Sequence, residues 1–298
     1  MLKIAVSSRS LFHLEDGNKI FETQGQEAFN EYMRSKENDP LRPGAAFPLI
    51  KKLLDLNSQK PPFRPDMVEV CLLSRNSPDA GMRVMNSIKH YQLGIEKAVF
   101  TQGENRFGFV KAFEADLFLS VNSQEVAYAI SQGVAAATLM PCERPEVFDD
   151  EFVRIAFDGD SVIFASEADE VYQEKGLLAF RDHEVEHANR PLEAGPFKNF
   201  LNELHELQKR YPAEKAPIKV GLFTARGLPA HERVLKTLRT WGIRIDTAVF
   251  CGGAKKGPLL QAFKADMFFD DMQKNVDNAH DSSVSSGHVP FGPGGIVN

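Results

Sequence analysis

The sequence predicts an α/β protein made of two tandem Rossmann-like, doubly wound parallel-sheet units, and three observations predict it. Short runs such as Val220-Gly221-Leu222-Phe223 and Met267-Phe268-Phe269 have the continuous apolar character of strands buried on both faces of a parallel sheet. They alternate with amphipathic segments of helical period, the pattern of βαβ units. The whole pattern then occurs twice. Lys3-Ile4-Ala5-Val6-Ser7-Ser8-Arg9-Ser10 lies over Arg154-Ile155-Ala156-Phe157-Asp158-Gly159-Asp160-Ser161, and Asn38-Asp39-Pro40-Leu41 lies over Asn189-Arg190-Pro191-Leu192 at the same offset. One residue is lost, after which Lys111-Ala112-Phe113-Glu114-Ala115-Asp116-Leu117-Phe118 lies over Gln261-Ala262-Phe263-Lys264-Ala265-Asp266-Met267-Phe268. Ordered matches at nearly one offset indicate an internal duplication.

Each copy reads in order as strand, helical insert, long helix, strand, helix, short strand, helix, strand. The opening strands are the apolar runs through Val6 and Phe157. After the inserts, Leu49, Ile50, Leu53 and Leu56 match Phe200, Leu201, Leu204 and Leu207, the spacing of one buried helical face. Strands follow at Val70 to Ser74 and Val220 to Thr224. The next helix covers Leu228 to Trp241 in the second copy, with Val234, Leu235 and Leu238 on one face and Gly242 at the cap position. Ile95 to Phe100 and Ile245 to Phe250 supply the short strands, and the last strands run through Phe118 and Phe268. The boundary between copies falls near Arg144 to Asp150, and Gly287 to Gly295 reads as irregular tail.

Bulk properties narrow the function. With 298 residues, 43% of them hydrophobic, the chain can bury a sizeable core. A net charge of −6 without a basic block excludes the electrostatic footprint of a duplex nucleic-acid binder, while a small anionic substrate needs only local positive groups. No apolar run approaches the roughly 20 residues of a membrane span. Met1-Leu2-Lys3-Ile4-Ala5-Val6 enters a strand without a charged leader, and Cys71, Cys142 and Cys251 lie far apart without metal or redox spacing. Both features fit a reducing cytoplasm.

Chemistry gathers in the second copy. Its strand ends carry Asp158 with Asp160, then Thr224, then Lys255-Lys256, then Asp270-Asp271, and in a parallel sheet such ends face one crevice. A carboxylate can act as nucleophile and metal ligand, a hydroxyl can donate to a phosphoryl oxygen, and a lysine can offset the charge of the transferring group. Further acids can complete an oxygen-rich site for Mg²⁺. Singly, these residues are equally at home as a surface turn, a strand-end hydroxyl, a solvated lysine and a helix cap. Their number and order favour catalysis.

Those residues resemble the haloacid dehalogenase-type phosphatases, whose four motifs are a strand ending Asp-x-Asp, a strand ending Thr or Ser, a lysine, and a strand ending in acids. The wider chain is similar to the cytosolic type I 5′-nucleotidases, through Ile4-Ala5-Val6-Ser7-Ser8-Arg9, Asn86-Ser87-Ile88-Lys89-His90-Tyr91, Ala156-Phe157-Asp158-Gly159-Asp160, Phe223-Thr224-Ala225-Arg226, Lys256-Gly257-Pro258-Leu259-Leu260, Phe269-Asp270-Asp271 and His288-Val289-Pro290. The resemblance implies a cytoplasmic, Mg²⁺-dependent hydrolase of nucleoside 5′-monophosphates. Residues 1–145 would be a degenerate, non-catalytic repeat and residues 150–298 the catalytic unit, with a small helical cap inserted at about 165–195. Asp158 would be the nucleophile and Asp160 the general acid and base, with Thr224 and Lys256 holding the phosphoryl group. Mg²⁺ would be held by Asp158, the Asp160 carbonyl and either Asp271 or Asp270. Gly159, Ala225 and Arg226 would line the phosphate site, and Phe180, His183, His187 or Phe197 the base or ribose pocket, with Phe197 equally suited to the core.

Other readings compete. His183-Glu184-Val185-Glu186-His187 spells the zinc-protease pattern, but that helix reads as acidic and exposed and lacks a third ligand. A bacterial receiver domain uses similar residues in a different order and lacks the insert. A nucleotide sensor that binds without turnover, or a phosphatase of the same superfamily acting on another small ester, is the remaining alternative. In the first copy Ser7, Arg9, Ser74, Arg106, Ser120 and Val121 occupy the positions of Asp158, Asp160, Thr224, Lys256, Asp270 and Asp271. Without carboxylates that unit is expected to be structural, with a regulatory nucleotide site as the second reading. The sequence leaves a homo-oligomer open.

Overall fold

Alternation within the apolar runs sorts their side chains onto two sheet faces. In a computed structural model, which describes residues 1–58, 66–140, 150–228 and 230–292, those runs become ten strands. They are β1 (Leu2–Ser7), β2 (Val68–Ser74), β3 (Lys97–Phe100), β4 (Leu117–Ser120), β5 (Ala135–Leu139), β6 (Val153–Phe157), β7 (Ile218–Thr224), β8 (Thr247–Phe250), β9 (Met267–Asp270) and β10 (Ser286–His288). Helices of the first half are α1 (Ser8–Leu11), α2 (Glu15–Ser35), α3 (Phe47–Ser58), α4 (Pro78–His90), α5 (Phe107–Ala112) and α6 (Ser123–Ser131). Those of the second are α7 (Glu167–Glu186), α8 (Lys198–Gln208), α9 (His231–Trp241), α10 (Gly257–Phe263) and α11 (Gln273–Asp281).

All ten strands form one sheet in the order β3-β2-β1-β4-β5-β10-β9-β6-β7-β8. Every pairing is parallel except β5 with β10, so the fold is a mixed, mostly parallel α/β sheet of Rossmann-like type. From its outer edge inward each half has the same strand order. The long inserts also share a kink at equivalent glycines: Gly25 has φ 87° in α2 and Gly176 has φ 78° in α7, a region that L side chains rarely enter.

Leu2, Ile4 and Val6 in β1, with Val153, Ile155 and Phe157 in β6, share one core that runs through both halves and includes Leu49 and Leu53 of α3 and Phe200 and Leu204 of α8. The alternate residues face the other way. Ala5 and Phe118 pack under α5 and α6, and Ala156 and Phe268 under α10 and α11, as two separate cores. Lys52 ties the halves directly: from α3 its ammonium reaches Asp266 at 2.8 Å, Asp150 at 3.2 Å and the Phe152 carbonyl at 3.0 Å.

Three local expectations change. Each half has five strands, where the sequence shows four, and the fifth strands β5 and β10 make the seam. The expected tail therefore begins in a strand: Gly287 pairs with Leu139 on one side and Phe269 on the other. Helix α9 starts at His231, with Leu235 40% exposed, while Gly242 caps it in the left-handed conformation as expected. Cys142, the expected boundary at 144–149 and the last tail residues, 293–298, lie outside the described residues. Among the described residues no helix is long and apolar enough to cross a membrane.

A Cβ on Gly287 would stand 2.8 Å from the Ala137 Cβ and 2.9 Å from Leu139 Cδ2 across the seam. Gly287→Val should cost about 1–3 kcal/mol by overpacking, read as a lower urea midpoint. An unchanged midpoint would mean that the seam yields.

Candidate active site

Parallel strands β6, β7 and β9 deliver Asp158, Thr224 and Asp270 at their carboxyl ends, so three distant sequence segments meet at one edge of the sheet. Beyond β6 the backbone makes an opened turn over Gly159–Ile163. Asp160 is extended (φ −69°, ψ 143°) and Ser161 is left-handed (φ 60°, ψ 0°), a strained conformation of the kind that clusters at functional sites. Gly159 lets this turn approach β7: a Cβ there would lie 3.3 Å from both Cβ and Oγ1 of Thr224.

The centre of the site is Lys256. Its ammonium lies 2.7 Å from Asp158 Oδ2 and 2.6 Å from Asp270 Oδ2, and the residue is 3% exposed. Burial alone would drive this lysine down, but the charges of Asp158 and Asp270 outweigh it and hold its pKa above the usual value. Burial pushes the Asp158 carboxyl up, Lys256 opposes the shift, and Asp270 and Asp160 add to it. Lys255 is exposed, so the structure separates two neighbours that the sequence offers together. Placement follows from Gly257, which closes against Asn278 of α11 and Ser282 at its C-terminal cap and donates its N–H to Asn278 Oδ1 at 2.9 Å.

Ligand oxygens of Asp158, Asp270 and Asp271 all lie within 4.8 Å of one another, and all three residues are buried. Asp270 is the most heavily committed. It accepts from Lys256, from the Met272 N–H at 2.8 Å and from Asn275 Nδ2 at 3.0 and 3.1 Å, which fills its acceptor capacity. His288 donates from Nε2 to the Asp271 carbonyl at 2.9 Å, and burial lowers its pKa.

Arg226, expected at the phosphate, has its guanidinium engaged inside the protein. Nε and Nη2 donate to the two oxygens of Asp160 at 2.8 and 2.6 Å, and Nη1 donates to Glu184. Glu184 also receives Arg233 Nη1 at 2.8 Å, and is 1% exposed. Its helix is otherwise largely exposed, as read from the sequence, so Glu184 is a local exception on the face turned to Arg226 and Arg233. The Glu184 carboxylate is held by two arginines and is not free to act as a base, and neither His183 nor His187 belongs to a metal-holding group among the described residues. Among the described residues Asp158, Asp270 and Asp271 form the one group that could hold a metal ion.

The pocket candidates separate. Phe197 is fully buried against Phe157, Phe200 and Phe269 and has no surface to offer a base, so it is a core residue. His183 and His187 stack at 4.3 Å on α7, and Phe180 lies against the Arg226 guanidinium at 5.4 Å. Ala225 is exposed between buried Thr224 and Arg226, and the Thr224 hydroxyl accepts from the Arg226 N–H at 3.2 Å. Glu184, Arg233, Asn275 and His288 were not recognised as site-supporting residues; the available signals were Glu184 inside the zinc-like pattern, the match of Arg233-Val234 to Arg83-Val84 in the first half, and His288 in the family-like stretch His288-Val289-Pro290. A groove of about 690 Å³, lined by Arg154, Lys219, Arg244 and Lys264 among others, lies at the opposite ends of the strands.

In the first half the cations are already paired. Arg106 bonds the Leu73 carbonyl at 2.6 Å and pairs with Glu125, and Arg9 meets Glu15 at 2.8 and 3.0 Å. Ser8 and Ser74 bond each other at 3.0 Å.

Comparison with known proteins gives one family. A family model described as 5′-nucleotidase matches residues 1–294. Human cytosolic 5′-nucleotidase 1B is 37% identical over 286 residues, covering 93% of this chain and 47% of that protein, so the chain spans about half the length of this relative. The crystal structure of histidinol dehydrogenase from Elizabethkingia anophelis aligns over 96% of this chain and 79% of that one, but a TM-score of 0.23 at 10% identity carries no argument.

Lys256→Met leaves buried carboxylates without their cation and should cost about 3–5 kcal/mol in metal-free buffer near neutral pH. A carboxyl whose folded pKa is raised destabilises the fold above that pKa, and the penalty fades as pH falls toward the unfolded value. Urea denaturation at about pH 8 and about pH 5 should therefore show a smaller deficit at the lower pH. An equal deficit at both would show that the carboxylates are not its source.

Proposed function

The chain belongs to the 5′-nucleotidase family, and from that premise we propose that it hydrolyses nucleoside 5′-monophosphates through an aspartyl-phosphate on Asp158. The observation that carries the reading is the buried Asp158, Lys256, Asp270 and Asp271 cluster at the ends of parallel strands. A binding-only sensor needs positive charge for a phosphate. Three carboxylates against one ammonium suit a site that also takes a cation and a nucleophile.

The donor set fits Mg²⁺. Three carboxylates and Lys256 leave a local excess of two negative charges among oxygen donors, which suits a hard divalent cation. Asp158, Asp271 and the Asp160 carbonyl would hold it, Asp271 being preferred because Asp270 is filled by Lys256, Met272 and Asn275. When bound, the ion supplies positive charge to the phosphoryl oxygens and keeps Asp158 ionised.

Asp158 attacks the 5′-phosphorus in line and the ribose oxygen leaves with a proton from Asp160. Asp160 then takes a proton from the water that opens the acyl-phosphate, releasing phosphate and restoring Asp158. Lys256 offsets charge on the transferring group, and Thr224 donates its hydroxyl to a phosphoryl oxygen. Gly159 and exposed Ala225 offer backbone to the same group. Helix α7, in the position of a cap, carries His183 and His187 as base or ribose contacts.

The same reading extends to the first half. Its matching strand order and glycine kink support an internal duplication whose first copy is a non-catalytic repeat. Because Arg9 and Arg106 are already neutralised by Glu15 and Glu125, that copy is better read as structural than as a regulatory nucleotide site. A cytosolic location rests on the relative's name.

Phosphate release from a panel of nucleoside monophosphates, with Mg²⁺ and with chelator, tests the function. Asp158→Asn should lower turnover at least about a thousandfold, and Asp271→Asn should raise the Mg²⁺ concentration needed for half-maximal rate. Undiminished Asp158→Asn turnover would remove the nucleophile. Absence of turnover with every nucleotide would favour the sensor.

A further inference from the structure

We propose that Glu184 is a positioning residue for the leaving-group side of the site: it holds the plane of Arg226, and Arg226 holds the carboxylate of Asp160. The proposal rests on Asp160 acting as the general acid. Its geometry is a continuous buried chain. The Arg226 fork grips both Asp160 oxygens at 2.6 and 2.8 Å, its third nitrogen donates to Glu184, and the other Glu184 oxygen receives Arg233 at 2.8 Å. Arg233 is anchored in turn by the Arg190 carbonyl at 2.9 Å and Glu167 at 3.1 Å. Phe180, one turn before Glu184 on α7, covers the Arg226 guanidinium at 5.4 Å. A long arginine side chain loses its freedom only when its plane is fixed from more than one direction. Here Asp160, Glu184 and Phe180 supply three.

Stability does not explain this network. Burying several charges is costly, and apolar residues of similar volume usually serve a core as well or better. The first half makes that replacement at the centre of the network. Met33, 1% exposed, stands at the position of Glu184, while a half-buried, uncharged Asn76 stands at that of Arg226. Arg9, at the position of Asp160, turns to Glu15. Strand, kinked helix and core persist there without the chain of charges. Glu184 and Arg226 thus occur in the half that has Asp160, and they connect the insert helix to that carboxylate.

The test compares kcat/KM for a nucleoside 5′-monophosphate, whose alkoxide must be protonated to leave, with that for p-nitrophenyl phosphate, whose phenolate leaves unprotonated. Asp160→Asn should lower the nucleotide value by about a hundredfold or more and the aryl value far less. Glu184→Gln should reproduce that selectivity, with about a tenfold loss for the nucleotide and less than about threefold for the aryl ester. Should Glu184→Gln fail to fold, the double variant Glu184→Met with Arg226→Asn copies the first half, removes a charge pair together and should show the same selective loss. Equal losses on both substrates, or no loss, beside a selective Asp160→Asn would overturn the proposal alone. A non-selective Asp160→Asn would overturn the general-acid reading and the proposal with it.

Discussion

The ammonium of Lys256 between Asp158 and Asp270 is the interaction on which the site depends. Three carboxylates in one dry pocket repel one another and resist burial; a single lysine within 2.7 Å of two of them makes their approach tolerable. Bringing it there requires β6 and β9 to be neighbours and the start of α10 to close on α11. Gly257 permits that closure, since any side chain would strike Asn278 and Ser282. Sheet order, helix packing and charge balance thus converge on one nitrogen atom.

The first half bears on the site through the seam. Strand β10 lies between β9, which ends in Asp270, and β5 of the first half, and His288 within it bonds the Asp271 carbonyl. The acidic strand β9 is therefore interior: it pairs with β10, and β10 is held on its own far side by β5 of the first half. Lys52 and the shared core around α3 and α8 bind the halves further. Ser7, Ser120 and Val121 at the first-half strand ends, where the second half has acids, are compatible with that mechanical role, because backbone pairing does not depend on which side chain ends a strand.

The two halves also separate what the fold needs from what the proposed reaction needs. Gly25 and Gly176 kink equivalent helices, and Gly44 and Gly195 both pass where a Cβ would strike backbone. Those are demands of the fold, met in both copies. Asp158, Asp160, Thr224, Lys256, Asp270 and the buried pair of Glu184 with Arg226 are met in one. Ser7 shows the contrast locally: it caps a regular helical turn by accepting from the Ser10 N–H, whereas after Asp158 the turn is opened, with Ser161 in the left-handed region.

Much of this was legible in the sequence. Apolar runs with helical segments between them identified eight of the strands, the internal similarity matched them in pairs along the chain, and four motifs in sequence named the acids, the threonine and the lysine. Strands Ala135–Leu139 and Ser286–His288 were not legible, because alanine, serine and glycine carry little strand preference of their own and pair only when neighbouring strands present open edges. Phe197 was left open between pocket and core, and the burial of Glu184 was not foreseen, for a related reason: local pattern shows which face of a helix a residue occupies but not what covers that face. The sequence by itself determined which groups are present and in what order they meet the strand ends. Tertiary structure alone decided that Lys256 and not Lys255 is buried, that Asp270 is already filled, and that Arg226 grips Asp160. Those outcomes turn on distances of a few ångströms between segments far apart in the chain, and such distances exist only once the sheet has closed.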